Sequence, residues 1–228
     1  MRTIDLNVDI GEGFAFDDEL LDLVSSANVC CGSHAGRPDL SVRTVEKCNE
    51  KGVRVGAHPG IPDRESMGRG PLPIKGSKEW IDLEDSVFDQ VRFLRSLGAG
   101  YLKLHGELYN RSTSPGDACD LLERLLIECR LPLMGMQGTA HELCSQRVGV
   151  DLISEGFADR RYDSDGRLVS RSVAGAVLTT SDAVASQAVE LARSGIDSIC
   201  VHGDTEGCIE LVSSVREALM TNGFVVQA

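Results

Sequence analysis

Along this 228-residue chain, short apolar runs alternate with longer segments whose apolar positions recur at helical spacing. The runs that read as strands are TIDLNVD from Thr3, ANVCC from Ala27, VRVGA from Val53, YLKLH from Tyr101, LPLMGM from Leu131, DLISEGF from Asp151 and SICVH from Ser198. Helical periodicity covers residues 18–25, 39–51, 83–97, 115–129, 139–148, 181–193 and 205–221. Asp39 and Ser181 stand where helices should start, and Gly52 and Gly195 where they should stop. That is the asymmetry of polar N-caps and left-handed glycine C-caps. Seven strands alternating with helices predict repeated βα units on a parallel sheet. With no low-complexity stretch and no linker, residues 1–228 read as one α/β domain.

The strand ends carry the chemistry. Four of the five histidines follow closely on apolar runs, in VCCGSHAG, VGAHPG, YLKLHGELYN and SICVHGDT. Loops converge at the carboxyl ends of parallel strands, so His34, His58, His105 and His202 nominate one site. His141 follows GMQGT at a helix start and reads as structural or as surface. In DLNVDIGEGF, period-two alternation puts Asn7 and Asp9 on one face, with Glu12 just beyond. An inward carboxylate at Asp9 needs a histidine, a cation or a metal beside it. The alternative is that Asn7 and Asp9 cap the following turn.

Lys103 shares the face of His105, where it could hold a carboxylate or stabilise an oxyanion. In GFADRRY, Glu155, Phe157 and Asp159 share a face, with Arg160 and Arg161 at the rim. An arginine there grips a substrate carboxylate or closes a salt bridge within the rim. Asp63 and Asp204 complete an acidic complement to the histidines that suits hydrolysis. The irregular stretch from Pro59 to Gly76 reads as a loop covering the substrate, or else as a proline-stiffened edge.

Composition narrows the function. The net charge of −12, from 23 Lys and Arg against 35 Asp and Glu, leaves no basic footprint for nucleic acid. No apolar run approaches the length of a membrane span, and Met1 precedes a strand pattern rather than a leader, so a cytoplasmic location is expected. Eight cysteines lack any CxxC pair, which disfavours thiolate zinc, and they read as small buried hydrophobes. Cys31, near His34, is a conceivable nucleophile if a base pairs with it. GEGF lacks the third glycine of a dinucleotide fingerprint, because Phe16 occupies its place. GPLPIKGS is no phosphate-binding loop, so any ATP in the reaction is expected on another chain.

Together, DLNVDIGEGF, SSANVCCGSHAGRP, VGAHPGIPD, LKLHGELYN, FADRRYDSDGRLVSRSVAGAV and CVHGDT resemble the LamB/YcsF family across almost the whole chain. The resemblance implies an irregular seven-stranded β/α barrel, TIM-like and of the glycoside hydrolase/deacetylase type. It implies ATP-dependent opening of the 5-oxoproline lactam to L-glutamate, with this chain as the A subunit of 5-oxoprolinase and its B and C partner subunits handling the ATP.

For that reaction we expect Asp9, with His58 or His105, to act as base, with His34 in the same catalytic group and Lys103 stabilising charge. Asn7, Glu12, Asp63, Arg69, Glu155, Arg160, His202 and Asp204 are expected to bind substrate. Ser33, Arg37, Ile61, Met67, Gly70, Leu104 and Glu107 depart from the family pattern in loops that line the pocket. Two other readings are a stand-alone metal-dependent deacetylase or amidohydrolase, with a divalent ion on Asp9, His34 and His58, and a catalytically silent paralogue that binds a ligand or partner. A homo-oligomer is compatible with all three.

Overall fold

The computed structural model describes residues 2–204 and 207–228. Seven parallel strands close a barrel: β1 (Arg2–Ile10), β2 (Ser26–Cys30), β3 (Arg54–His58), β4 (Tyr101–Leu102), β5 (Leu133–Gly135), β6 (Leu152–Phe157) and β7 (Ser198–Cys200). They pair in chain order, and β1 bonds to both β2 and β7 to complete the ring. An eighth strand, β8 (Phe224–Val226), lies outside that ring. It pairs with Arg2–Ile4 of β1, end to end with β7, which takes Asp5–Asn7. The apolar tail Phe224–Val226 was absent from the expected strands because three residues are too few to show periodicity.

Around the barrel lie α1 (Asp17–Leu20), α2 (Pro38–Lys51), α3 (Lys78–Ser96), α4 (Gly106–Ser112), α5 (Asp117–Cys129), α6 (Ala140–Val148), α7 (Ser181–Ser194) and α8 (Cys208–Thr221). Several boundaries differ from expectation for local reasons. Pro38 begins α2, with Arg37 at the N-cap, because proline lacks the N–H that a helix start leaves unused anyway. Asp39 is therefore inside the helix, and Ser181 likewise follows its N-cap, Thr180. The expected C-caps hold, since Gly52 and Gly195 both adopt left-handed backbone. Helix α3 starts five residues early because the Ser77 side chain accepts from the Trp80 N–H. Helix α4 was not foreseen, and the expected start of the last helix, at Thr205, falls outside the described residues.

Alternation along the strands sorts side chains to two sides. Leu6, Val8 and Ile10 of β1, Val29 of β2 and Ile199 of β7 are buried in one hydrophobic cluster with Leu83, Val87, Leu122, Val184 and Leu211 of the surrounding helices. Fully burying each such side chain contributes roughly 1.5–3 kcal/mol. The opposite parity runs through Asp5, Asn7 and Asp9, through Ser26 and Asn28, through Tyr101 and Lys103, and through Glu155 and Ser198. These residues meet one another across the barrel, so the lumen is polar. A β/α barrel ordinarily fills its interior with branched apolar chains. Space for the Tyr101 ring comes from Gly56, where a Cβ would lie 2.2 Å from it.

Candidate active site

The lumen holds a hydrogen-bonded floor. Asn28 Nδ2 donates to Asn7 Oδ1 at 2.7 Å and to Asp9 Oδ1 at 2.8 Å, and Tyr101 donates to Asn28 Oδ1 at 2.7 Å. Asn7 Nδ2 donates to Ser198 Oγ at 2.8 Å, and Ser198 in turn donates to Asp5. Lys103, 2% exposed, sits in the middle of this floor. Its Nζ lies 2.6 Å from Glu155 Oε1 and 3.1 Å from Asp9 Oδ1. Burial would lower the lysine pKa, but Asp9, Cys200 and Glu155 outweigh it and hold the ammonium well above its ordinary value. Burial would likewise raise Asp9, yet His58 and Lys103 hold it well below the usual carboxylate range. Asp9 is therefore an ionised carboxylate at neutral pH.

Above the floor, three imidazoles pack together. The rings of His34 and His105 stack with centroids 3.9 Å apart, and His58 meets His105 edge-on at 4.9 Å. His58 Nδ1 donates to Lys103 O at 2.9 Å, and His105 Nε2 donates to Met67 O at 2.8 Å. A carbonyl oxygen only accepts, so these contacts fix which nitrogen of each ring carries hydrogen. Burial pushes His105 well below the ordinary histidine pKa, and the neighbouring His34 and His58 add to this. Burial pushes His34 down as well, but Cys30 and Glu12 outweigh it and hold it up at about 9. Glu12 Oε1 lies 3.5 Å from His34 Nε2 and 3.8 Å from His105 Nδ1.

One donor atom each from Glu12, His34, His58 and His105 lies within 4.8 Å of the other three. Glu12 Oε1 and both ring nitrogens of His34 are buried without a hydrogen-bond partner. Three imidazoles and one carboxylate, with backbone carbonyls orienting two of the rings, fit a zinc-like divalent ion. This group shares His34 and His58 with the expected ligand set and differs from it in Asp9. Asp9 Oδ1 is engaged by Asn28 and Lys103, Asp9 Oδ2 lies 3.4 Å from His58 Nε2, and the four converging donors are those of Glu12, His34, His58 and His105.

His202 stands on the far side of the barrel mouth. Its Nδ1 lies 2.9 Å from Asp159 Oδ2, and its backbone N–H donates to the same oxygen at 3.1 Å. Asp159 is fully buried; burial favours its neutral form, but His202 wins and lowers its pKa. The rim is made of Arg69, Arg160, Arg171 and Asp204. Arg69 donates to Asp204 Oδ2 at 2.6 Å and Arg171 donates to the same atom at 3.2 Å.

Thus Asn7, Asp9, Glu12, His34, His58, Lys103, His105 and Glu155 come together at one end of the barrel, with His202, Arg69, Arg160 and Asp204 around its mouth. Lys103 and Glu155 neutralise one another beneath the pocket instead of lining it. Asp63 does not join: its carboxylate caps its own loop, accepting from Ser66 Oγ and from the Glu65 N–H. The loop that Asp63 shapes does reach the site, through Met67 O on His105. Cys31 is a buried thiol whose pKa burial pushes well up, and all eight cysteines are free and buried. His141 is structural, with Ser112 Oγ 2.8 Å from its Nε2. Asn28, Tyr101, Asp159 and Arg171 were not foreseen, although the strand parity of Asn28, Tyr101 and Asp159 pointed inward.

The A subunit of 5-oxoprolinase from Nocardia farcinica is 39% identical over 251 aligned positions, covering 99% of this chain and 98% of that protein. The crystal structure of a lactam utilization protein from Thermus thermophilus superposes with a TM-score of 0.81 at 29% identity, over 99% of both chains. The catalytic domain of a peptidoglycan N-acetylglucosamine deacetylase from Eubacterium rectale shares the fold, with a TM-score of 0.54 at 15% identity, covering 99% of this chain and 87% of that one. Residues 4–228 match the LamB/YcsF family, and with a relative of this identity along its whole length the chain belongs to that family.

Proposed function

We propose that this chain hydrolyses the lactam of 5-oxoproline to L-glutamate, as the A subunit of an ATP-dependent 5-oxoprolinase whose B and C partner subunits phosphorylate the lactam oxygen. The observation that carries the reading is the ionised Asp9, anchored by Lys103 and Asn28 and open to the pocket beside His58. An unactivated lactam carbon is a poor electrophile, whereas phosphorylation of its oxygen supplies the leaving capacity that water attack needs.

Asp9 takes the proton of a water whose oxygen bonds to the ring carbon. As the C–N bond of the resulting tetrahedral adduct breaks, the departing nitrogen needs a proton, and the acyl phosphate left behind is cleaved by a second water to glutamate and inorganic phosphate. His202 is placed to give that proton, because the buried Asp159 orients its ring. Lys103 acts through Asp9, keeping that carboxylate ionised within the barrel. Arg69 and Arg160 supply positive charge for anionic groups of the substrate. A divalent ion held by Glu12, His34, His58 and His105 would polarise the carbonyl or a bound water.

Purified chain reconstituted with both partner subunits should form glutamate from 5-oxoproline with ATP. Undiminished activity of a variant carrying both Asp9→Ala and His58→Ala would sink the assignment. A second reading, a stand-alone metal-dependent amidohydrolase, draws on the four-donor cluster. It requires stoichiometric metal and amide cleavage without ATP or partners, which the same preparations would reveal.

A further inference from the structure

Among the described residues, three guanidiniums gather at the barrel mouth around a single carboxylate. Arg69 comes from the loop after β3, Arg160 and Arg171 from the loop after β6, and Asp204 from the loop after β7. Asp204 Oδ2 accepts from both Arg69 and Arg171, while Asp204 Oδ1 is buried with no partner among the described residues. Arg160 is 4% exposed, forms no ion pair, and donates through Nη2 to Val169 O at 2.7 Å, leaving Nε buried and without an acceptor. Burial, then Arg171, and more weakly Arg69, push its pKa down, so the three charges repel across a shared space.

A buried guanidinium without a counterion is costly unless a ligand supplies one. Asp204 and the buried Asp159, which also pairs with His202, are the carboxylates that act on these three guanidiniums, so positive charge is left over at the mouth of a protein whose net charge is −12. The arginines also adjoin the catalytic histidines. Gly68, the residue before Arg69, would place a Cβ 3.0 Å from both His34 and His105, and Met67 O binds His105.

We propose that Arg69, Arg160 and Arg171 form a binding site for a dianionic phosphoryl group, with Asp204 holding two of the guanidiniums in place until that group arrives. Three guanidiniums converging from two loops suit a phosphoryl group, whose oxygens can accept from all three, better than a monocarboxylate with two oxygens. Planar guanidiniums offer paired N–H donors to phosphate oxygens. Incoming phosphoryl oxygens would take the donors now on Asp204 and satisfy Arg160 Nε. That this group is the phosphoryl of the activated lactam rests on the function proposed above; the site itself does not.

The test is calorimetric titration of the full chain, without partners, with inorganic phosphate and separately with acetate. Saturable phosphate binding is expected, with acetate weaker by about tenfold or more. Arg171→Gln should weaken phosphate about tenfold, Asp204→Asn should tighten it severalfold, and Arg111→Gln, an exposed control on α4, should change nothing. Arg171 is partly exposed and, among the described residues, its only side-chain hydrogen bond is to Asp204, so its variant should keep the wild-type melting temperature. Absence of saturable binding, equal affinity for acetate, or an Arg171→Gln variant that binds like wild type overturns the proposal. Phosphate binding that depends on Arg171 in a protein that fails to open the lactam would uphold the site and remove only its link to that reaction.

Discussion

His58 Nε2 and His105 Nδ1 face each other at 2.9 Å while the other nitrogen of each ring donates to a backbone carbonyl, Lys103 O for His58 and Met67 O for His105. In two neutral rings, that arrangement leaves a pair of lone pairs directed into the same small volume. Either a shared proton or a cation resolves the conflict, and the unpartnered atoms of Glu12 and His34 on the same spot favour a cation.

A divalent ion is therefore expected to bind at one equivalent per chain. His105→Gln and Glu12→Gln should each reduce affinity by roughly a hundredfold, since each removes a ligand from a four-donor set. Competition against a chromogenic chelator measures this directly. Wild-type affinity in both variants would place any bound metal elsewhere.

Lys103 is the sole cation among the described residues paired with both Asp9 and Glu155 inside the barrel. Lys103→Met should destabilise the fold by about 3–5 kcal/mol, the usual penalty for leaving buried charge without its partner. Adding Glu155→Gln to Lys103→Met should recover part of that loss. Denaturant unfolding of the two singles and the double measures the coupling, and strict additivity would contradict a direct ion pair.

Gly68 adopts φ +69° and fits against His34 and His105 with no space for a side chain. Gly68→Ala should cost about 1–2 kcal/mol of stability from the backbone conformation alone. Displacement of the loop that carries Met67 should weaken metal binding by about tenfold or more, because Met67 O orients His105. A variant that loses stability but keeps wild-type metal affinity would show that the loop does not position the ring.

His141 gives the fold a dependence on pH that is separate from the site. Its Nδ1 accepts the Met136 N–H at 3.2 Å, and burial lowers its pKa to about 4. At pH 7 it is neutral in the folded chain and largely neutral in the unfolded one, so it contributes little pH dependence there. As pH falls below the unfolded value of about 6.5, the unfolded chain takes up a proton that the folded chain refuses, so stability declines until the pH reaches about 4. The full loss is on the order of 3 kcal/mol. Unfolding midpoints at about pH 7 and about pH 4.5 should differ less for His141→Gln than for wild type; equal differences would exclude His141 as the source.

Much of this protein was legible along the chain. Strand and helix alternation yielded the repeated βα units on a parallel sheet, because periodicity is set by local backbone geometry and needs no knowledge of partners, while the barrel was implied by the resemblance to the LamB/YcsF family. Period two put Asn7, Asp9, Lys103, His105 and Glu155 on inward faces, and the strand ends gathered the histidines. The finer assignments were not legible. Whether Lys103 faced a substrate or two carboxylates, and whether Asp9 or Glu12 joined the histidines, depended on distances between residues on different strands. The same holds for Asp63, which a turn satisfies locally, and for Arg171, whose partner Asp204 lies 33 positions away. Sequence determined which face each side chain takes, since that follows from the pleat of its own strand; only closure of the barrel, which sets register and separation across the lumen, decided which charges meet.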